Sequence, residues 1–165
     1  MDISMWQNLL DVLGKINIAY DNAIELGGRK HKALVTIDMD SLAKILDEEQ
    51  LLTGKIQKLE RQRGELLTTL SKSEPSIKPE SKMEDLFKLA PTRAVEDRLK
   101  LLHKSLTKKV EQTVLLRDNN QILAQSALNA VKYHLNKIGG AMVEPTYGNN
   151  GNDIVTHKKN FDFKA

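Results

Sequence analysis

The sequence predicts an all-α fold, an elongated antiparallel helical hairpin built out to a three-long-helix coiled-coil bundle, with one short extra helix and an irregular C-terminal tail. Three observations carry this. Apolar residues recur at alternating steps of three and four along three long stretches, the spacing that gathers side chains on one helix face. Aromatic residues make up 4% of the chain and charged residues 28%, a palette that suits long amphipathic helices better than sandwiches or barrels. Pro75, Pro79, Pro91 and Pro145 all stand between or beyond those stretches, so no helix interior loses a hydrogen bond to proline.

The first helix is expected over about 3–35. Its stripe reads Trp6, Leu9, Leu13, Ile16, Tyr20, Ala23, Gly27, Lys30 and Leu34. Gly27-Gly28 costs a helix about 1 kcal/mol per glycine relative to alanine, so a kink or an early end there stays open. Gly27 also falls on the stripe, where a missing side chain lets a partner helix come close. A short turn follows, and Asp38 or Asp40 can cap the next helix by accepting from its free N–H groups. The second helix is expected over 39–72, with the stripe Leu42, Ile45, Glu49, Leu52, Ile56, Leu59, Arg63, Leu66 and Leu70. Leu46, Leu51 and Leu67 widen that stripe, which implies more than one packing neighbour. Glu49 and Arg63 interrupt it and each needs a polar contact. In an antiparallel hairpin turning at 37–38, Glu49 falls within a turn of Lys30, and Arg63 falls opposite Asp11 to Leu13.

Residues 73–80 hold two prolines and little apolar surface, and read as a linker. Ser81 with Glu84 fits a capping box for a short helix over 82–90, which Pro91 stops. Its Met83, Leu86, Phe87 and Leu89 suit a lid across the bundle end. The last helix is expected over 92–138, with the stripe Leu99, Leu102, Leu106, Lys109, Thr113, Leu116, Asn120, Leu123, Ala127, Ala130 and His134. At 1.5 Å per residue it is ~70 Å long against roughly 50 Å for the first two, so part of it is expected to lack a partner within the chain. Gly139-Gly140 supplies its end. The domain reading is therefore a helical bundle over 1–140 and a flexible tail over 141–165. Tyr147, Phe161 and Phe163 lie in that tail, and two readings stay open for them, folding back onto the bundle or binding a partner.

The formal charge is +3 and the pI about 9.0, with basic and acidic residues interleaved throughout. Phosphate binding needs a local excess of positive charge, so no nucleic-acid partner is expected. The chain has no cysteine, which excludes disulfide and thiolate chemistry. An acid, Asp2, stands where a secretory signal carries a base, and no apolar run approaches the ~20 residues that cross a bilayer. A cytoplasmic protein without stable membrane insertion is the expectation. His31, His103, His134 and His157 form no i, i+4 ligand pair. The acids at 38–49 lack the glycine and alternating oxygen ligands of a calcium loop. Gly148-Asn149-Asn150-Gly151 is turn chemistry without the lysine of a phosphate loop. Neither a catalytic residue nor a cofactor or metal site is expected, and the chain is not read as an enzyme.

Several features coincide in chain order. Lys32-Ala33-Leu34-Val35 with Asp38 and Leu42, then Glu49-Gln50-Leu51-Leu52, Leu59-Glu60 and Arg63, resemble the N-terminal half of FlgN-family proteins. Asn119-Asn120-Gln121-Ile122-Leu123 is similar to the asparagine-rich start of an apolar seam in that family. Glu144-Pro145-Thr146-Tyr147-Gly148, with Gly151 beyond, is similar to its tyrosine-glycine tail. Gly27-Gly28 and Lys109 depart from the family pattern. The resemblance implies a flagellar type III export chaperone that binds terminal amphipathic helices of hook-filament junction proteins, prevents their premature association and delivers them to the export gate. Client contact is expected on the last helix at Thr113, Leu116, Asn120, Leu123, Ala127 and Val131. By resemblance, Tyr147, Gly148 and Gly151 would dock transiently on the membrane protein of the gate. A homodimer in the free state is left open. The alternative is a structural coiled-coil protein that self-associates without a client.

Overall fold

The computed structural model describes residues 3–140, 145–147 and 153–155. Four helices follow in order, α1 (Ile3–Thr36), α2 (Met39–Ser73), α3 (Met83–Phe87) and α4 (Arg93–Gly140). Two compact units divide the chain, one ending at Gln121 and the other starting at Ile122. The first unit holds α1, α2, α3 and residues 93–121 of α4.

α1 runs unbroken through Gly27-Gly28, because the stripe on either side is packed and holds the backbone helical. It closes with Ile37 at φ 52°. Ile37 N donates to Leu34 O at 3.3 Å and Asp38 N to Ala33 O at 2.9 Å, the paired bonds of a Schellman cap. Asp38 then caps α2. Its Oδ1 accepts from Ser41 N at 3.1 Å and its Oδ2 from Ser41 Oγ at 2.7 Å. Two residues thus reverse the chain, and the hairpin register follows from that short turn.

α1 and α2 pack antiparallel. Near the turn, Leu26 and Ala33 meet Ile45; further on, Ile16 and Ala19 meet Leu59. At the open end Trp6 and Leu9 meet Leu67 and Leu70. Lys30 Nζ lies 2.9 Å from Glu49 Oε2, the contact the hairpin register requires of Glu49. Arg63 finds its polar contact elsewhere than on α1: its Nε lies 2.8 Å from Glu60 Oε2, one turn back on its own helix. A long flexible stem reaches a neighbour on the same face before it spans to another helix.

The segment after α2 covers the open end. Ile77 and Leu86 are buried against Trp6, Leu67 and Leu99, each large apolar side chain contributing about 1.5–3 kcal/mol by leaving water. The cap of α3 sits one residue later than a Ser81–Glu84 box. Lys82 N donates to Asp85 Oδ2 at 3.1 Å, while Ser81 Oγ accepts from Lys78 N at 2.8 Å. The serine is drawn into the turn preceding the helix, and α3 starts at Met83.

α4 begins at that end and runs parallel to α1. The order of their contacts fixes the direction, with Asn17 against Leu102, Asp21 against Lys109 and Gly27 against Asn120. In the second unit α4 continues over 122–140. Inside the stretch expected to be irregular, β1 (Pro145–Tyr147) and β2 (Asp153–Val155) pair antiparallel, Thr146 opposite Ile154. Glycine and asparagine dominate the five intervening positions, residue types that favour hairpin turns, and Pro145 stands at a strand start, where a missing N–H is tolerated.

Candidate functional site

Where α1 and α4 meet, each helix sends one buried asparagine to the other's backbone. Asn17 Nδ2 donates to Leu102 O at 3.3 Å, and to Leu13 O on its own helix at 3.1 Å. Asn120 Nδ2 donates to Gly27 O at 2.9 Å. Between these crossings Lys109 Nζ lies 3.0 Å from Asp21 Oδ2, so the lysine that breaks the α4 stripe is answered by an acid on α1. Both asparagines are almost wholly buried, and among the described residues the Oδ1 of each has no hydrogen-bond partner. The α1–α4 seam is held by polar contacts set in an apolar surround. The α1–α2 seam is apolar along its length and carries its ion pairs at the rim.

The crossing at Gly27 is close. A Cβ there would lie 3.1 Å from Leu116 Cδ1, so the absent side chain admits Leu116. Beside this contact the three helices enclose a half-open groove of about 400 Å³. Its walls are Tyr20, Ala23 and Leu26 of α1, Leu52, Thr53 and Ile56 of α2, and Thr113, Leu116 and Asn120 of α4. The Lys30–Glu49 pair and Arg117 stand at its edge. A groove of this size belongs to the range that holds ligands, roughly 300–1,000 Å³.

The second unit presents a different surface. Leu128, Val131, Leu135 and Ile138 follow at steps of three, four and three on α4, and their exposures are 46%, 48%, 48% and 57%. Ile122 and Tyr133 are exposed as well. Four large apolar side chains in one stripe, each about half in water, form a helix face of the kind that another helix covers.

The six residues expected to touch a client divide evenly between the units. Thr113, Leu116 and Asn120 line the groove. Leu123 and Ala127 are half-buried and Val131 is exposed. Of the tail residues, Tyr147 ends β1 opposite Asp153, whereas Gly148 and Gly151 lie outside the described residues, as do Phe161 and Phe163. Sequence reasoning missed the α1 and α2 walls of the groove, Ala23 and Thr53 among them. Ala23 stood on a packing stripe and Thr53 on none, and only the register of α4 against both helices makes them neighbours. Leu128, Leu135 and Ile138 fall off the 123–127–130–134 line of the stripe, so spacing along that line does not single them out.

Among the described residues no group of three or more His, Cys, Asp or Glu is placed to hold a metal ion. No described helix is long and apolar enough to cross a membrane. The FlgN family model, FlgN protein, matches residues 3–153. The chain belongs to the FlgN family. That is a family of flagellar export chaperones, and the match spans α1 through the first residue of β2. No curated protein and no solved structure matches this FlgN-family chain.

Proposed function

We propose that this FlgN-family protein is a cytoplasmic chaperone of type III flagellar export, whose clients are the terminal amphipathic helices of hook-filament junction proteins. It holds them apart from one another and delivers them to the export gate. The observation that carries this reading is the half-exposed apolar stripe of Leu128, Val131, Leu135 and Ile138. A client helix laid on that stripe would bury apolar surface on both partners without any covalent or nucleotide chemistry. Client contact is assigned to Thr113, Leu116, Asn120, Leu123, Ala127 and Val131. The polar residues among them, Thr113 and Asn120, weaken the seam enough to let a client be released, where an all-leucine seam would not exchange.

The helical part, residues 1–140, is the proposed client holder, and the segment 141–165 the proposed delivery element. Within the latter, Tyr147, Gly148 and Gly151 are assigned to transient docking on the membrane protein of the gate. No nucleic acid enters this reading. Basic and acidic side chains are interleaved along the sequence, some of them paired as in Lys15–Asp11, Arg29–Glu48 and Lys109–Asp21, and the formal net charge is only +3, a small excess for phosphate binding.

The same exposed stripe also favours a second reading, in which two copies pair through α4 and no client exists. Size-exclusion chromatography with a C-terminal fragment of a junction protein separates the two. A one-to-one complex formed at the expense of any homodimer supports the chaperone. Homo-oligomers that persist and take up no fragment support self-assembly.

A further inference from the structure

We infer that the helix received by the apolar stripe of α4 carries acidic side chains along the edge of its own stripe, and that Lys132 pairs with one of them. This rests on the chaperone reading and specifies the chemistry of its partner.

Leu128, Val131, Leu135 and Ile138, each about half exposed, suit the apolar face of any helix. The charges beside them are more selective. Residues 122–140 contain two lysines, Lys132 and Lys137, and neither Asp nor Glu. Lys132 stands four residues after Leu128 and three before Leu135, which puts it at the edge of the stripe, one turn from each. Its own helix offers it no acid at those spacings, where Leu128, Asn129, Leu135 and Asn136 stand. Both lysines are exposed. Among the described residues the ion pairs run from Lys15–Asp11 to Arg117–Asp118, and none includes Lys132 or Lys137. On the other edge of the stripe His134 meets the Tyr133 ring edge-on at 5.7 Å and brings no negative charge.

Charge then selects among three occupants. A second copy pairing stripe on stripe brings the same lysines and no acid from its residues 122–140, and like charges at a seam edge disfavour pairing. The chain's own residues 156–165 carry Lys158, Lys159 and Lys164 against the single Asp162, so they too add positive charge. A foreign helix with Asp or Glu facing Lys132 gives that lysine its partner at the rim, where charges set partner choice and association rate more than total affinity. One side chain thus favours the client and opposes self-pairing.

Isothermal titration of the full chain with the C-terminal-helix peptide of a junction protein tests this, at about 20 mM and about 150 mM salt. Lys132→Glu should weaken binding about three- to tenfold at the lower salt and less at the higher, because exposed charges are screened. Lys132→Gln, which removes the charge without reversing it, should fall between parent and Lys132→Glu. Lys104→Glu, an equal charge change at an exposed position of α4 outside 122–140, should bind within about twofold of the parent. Changing the peptide's Asp and Glu residues to Lys one at a time should reveal one position that weakens binding to the parent and restores it to Lys132→Glu. If the parent binds and Lys132→Glu stays within about twofold of it at both salts, or Lys104→Glu loses as much, the inference falls while the chaperone reading survives. Tighter binding by Lys132→Glu means a basic partner and overturns the inference, as does restoration at no peptide position. Self-association of the parent that the peptide does not displace makes a second copy the occupant, with the same consequence. If the parent binds no peptide, the chaperone reading falls and the inference with it.

Discussion

Gly27 and Leu116 meet across the α1–α4 seam, since a Cβ on Gly27 would lie 3.1 Å from Leu116 Cδ1 and 3.3 Å from its Cβ. Gly28, one residue on, has nothing within 4 Å of the same position. The two glycines thus separate helix propensity from packing. Gly28→Ala should raise stability by about 0.5–1 kcal/mol, the ordinary gain for a helix interior. Gly27→Ala gains the same propensity but must push Leu116, and overpacking costs typically 1–3 kcal/mol. It should also strain the bond from Asn120 to Gly27 O. Urea unfolding should place Gly27→Ala below Gly28→Ala by at least about 1 kcal/mol, and equal midpoints would show that α4 yields freely.

Ile37 holds a left-handed conformation, φ 52°, at the C-terminus of α1. This region costs an L-residue roughly 1–2 kcal/mol and glycine almost nothing. Its side chain is 63% exposed, so removing it sacrifices little burial. Ile37→Gly should therefore stabilise the hairpin by about 0.5–1 kcal/mol after the added entropy of the unfolded chain is counted. Thermal melts read this directly, and a lower melting temperature would mean that the isoleucine is held by packing.

Two carboxylates near the turn shape the acid response. Ser41 hydrogen bonds hold Asp38 below its ordinary value of 3.8, and the Arg29 guanidinium, bonded at 2.8 and 2.9 Å, holds Glu48 below its ordinary 4.5. Glu48 in turn raises Arg29 above its ordinary value. A depressed folded pKa means the unfolded chain takes up the proton first. The stability from these groups is thus complete above the ordinary values and is lost as pH falls through the lower folded ones. Glu48→Gln should flatten the loss of stability below the ordinary value of 4.5. Added salt should shrink the difference, because the pair is at the surface. A variant with the parent's acid profile would show that the pair is inert.

Tyr147 stands at the end of β1, and the delivery role proposed for it is separable from client holding. Tyr147→Ala should bind the junction-protein fragment with unchanged affinity while lowering export of that protein from cells. Loss of both together would mean that the tyrosine supports the fold.

Long-range order proved legible where a short turn fixed it. Spacing alone placed the helices, and with two residues joining α1 to α2 the register put Glu49 beside Lys30, as the 2.9 Å pair bears out. Gly27 as a point of close approach was readable for the same reason, since a gap on an apolar stripe has few other uses. Contacts of α4 were less legible, because the connection from Ser73 to Arg93 leaves its register free. Neither the Lys109–Asp21 pair nor the reach of Asn120 to Gly27 could be counted out from the turn. Local competition also escaped the sequence. Arg63 chose Glu60, Ser81 joined the preceding turn, and Ile37 accepted a conformation that its type disfavours. The groove needed all three helices at once, so its α2 wall at Thr53 carried no signal of its own.

In the proposed function the exposed apolar stripe of α4 receives a foreign helix. Replacing Leu128 and Leu135 together by Glu should leave helicity and unfolding midpoint nearly unchanged, because both side chains are about half in water, at 46% and 48%. Titrating a junction-protein C-terminal fragment into parent and double variant is the most direct test. The parent should bind one-to-one and the variant should lose about a hundredfold or more in affinity, the effect of placing two charges in an apolar interface. Equal affinity in the two proteins would mean that no client helix seats on this stripe.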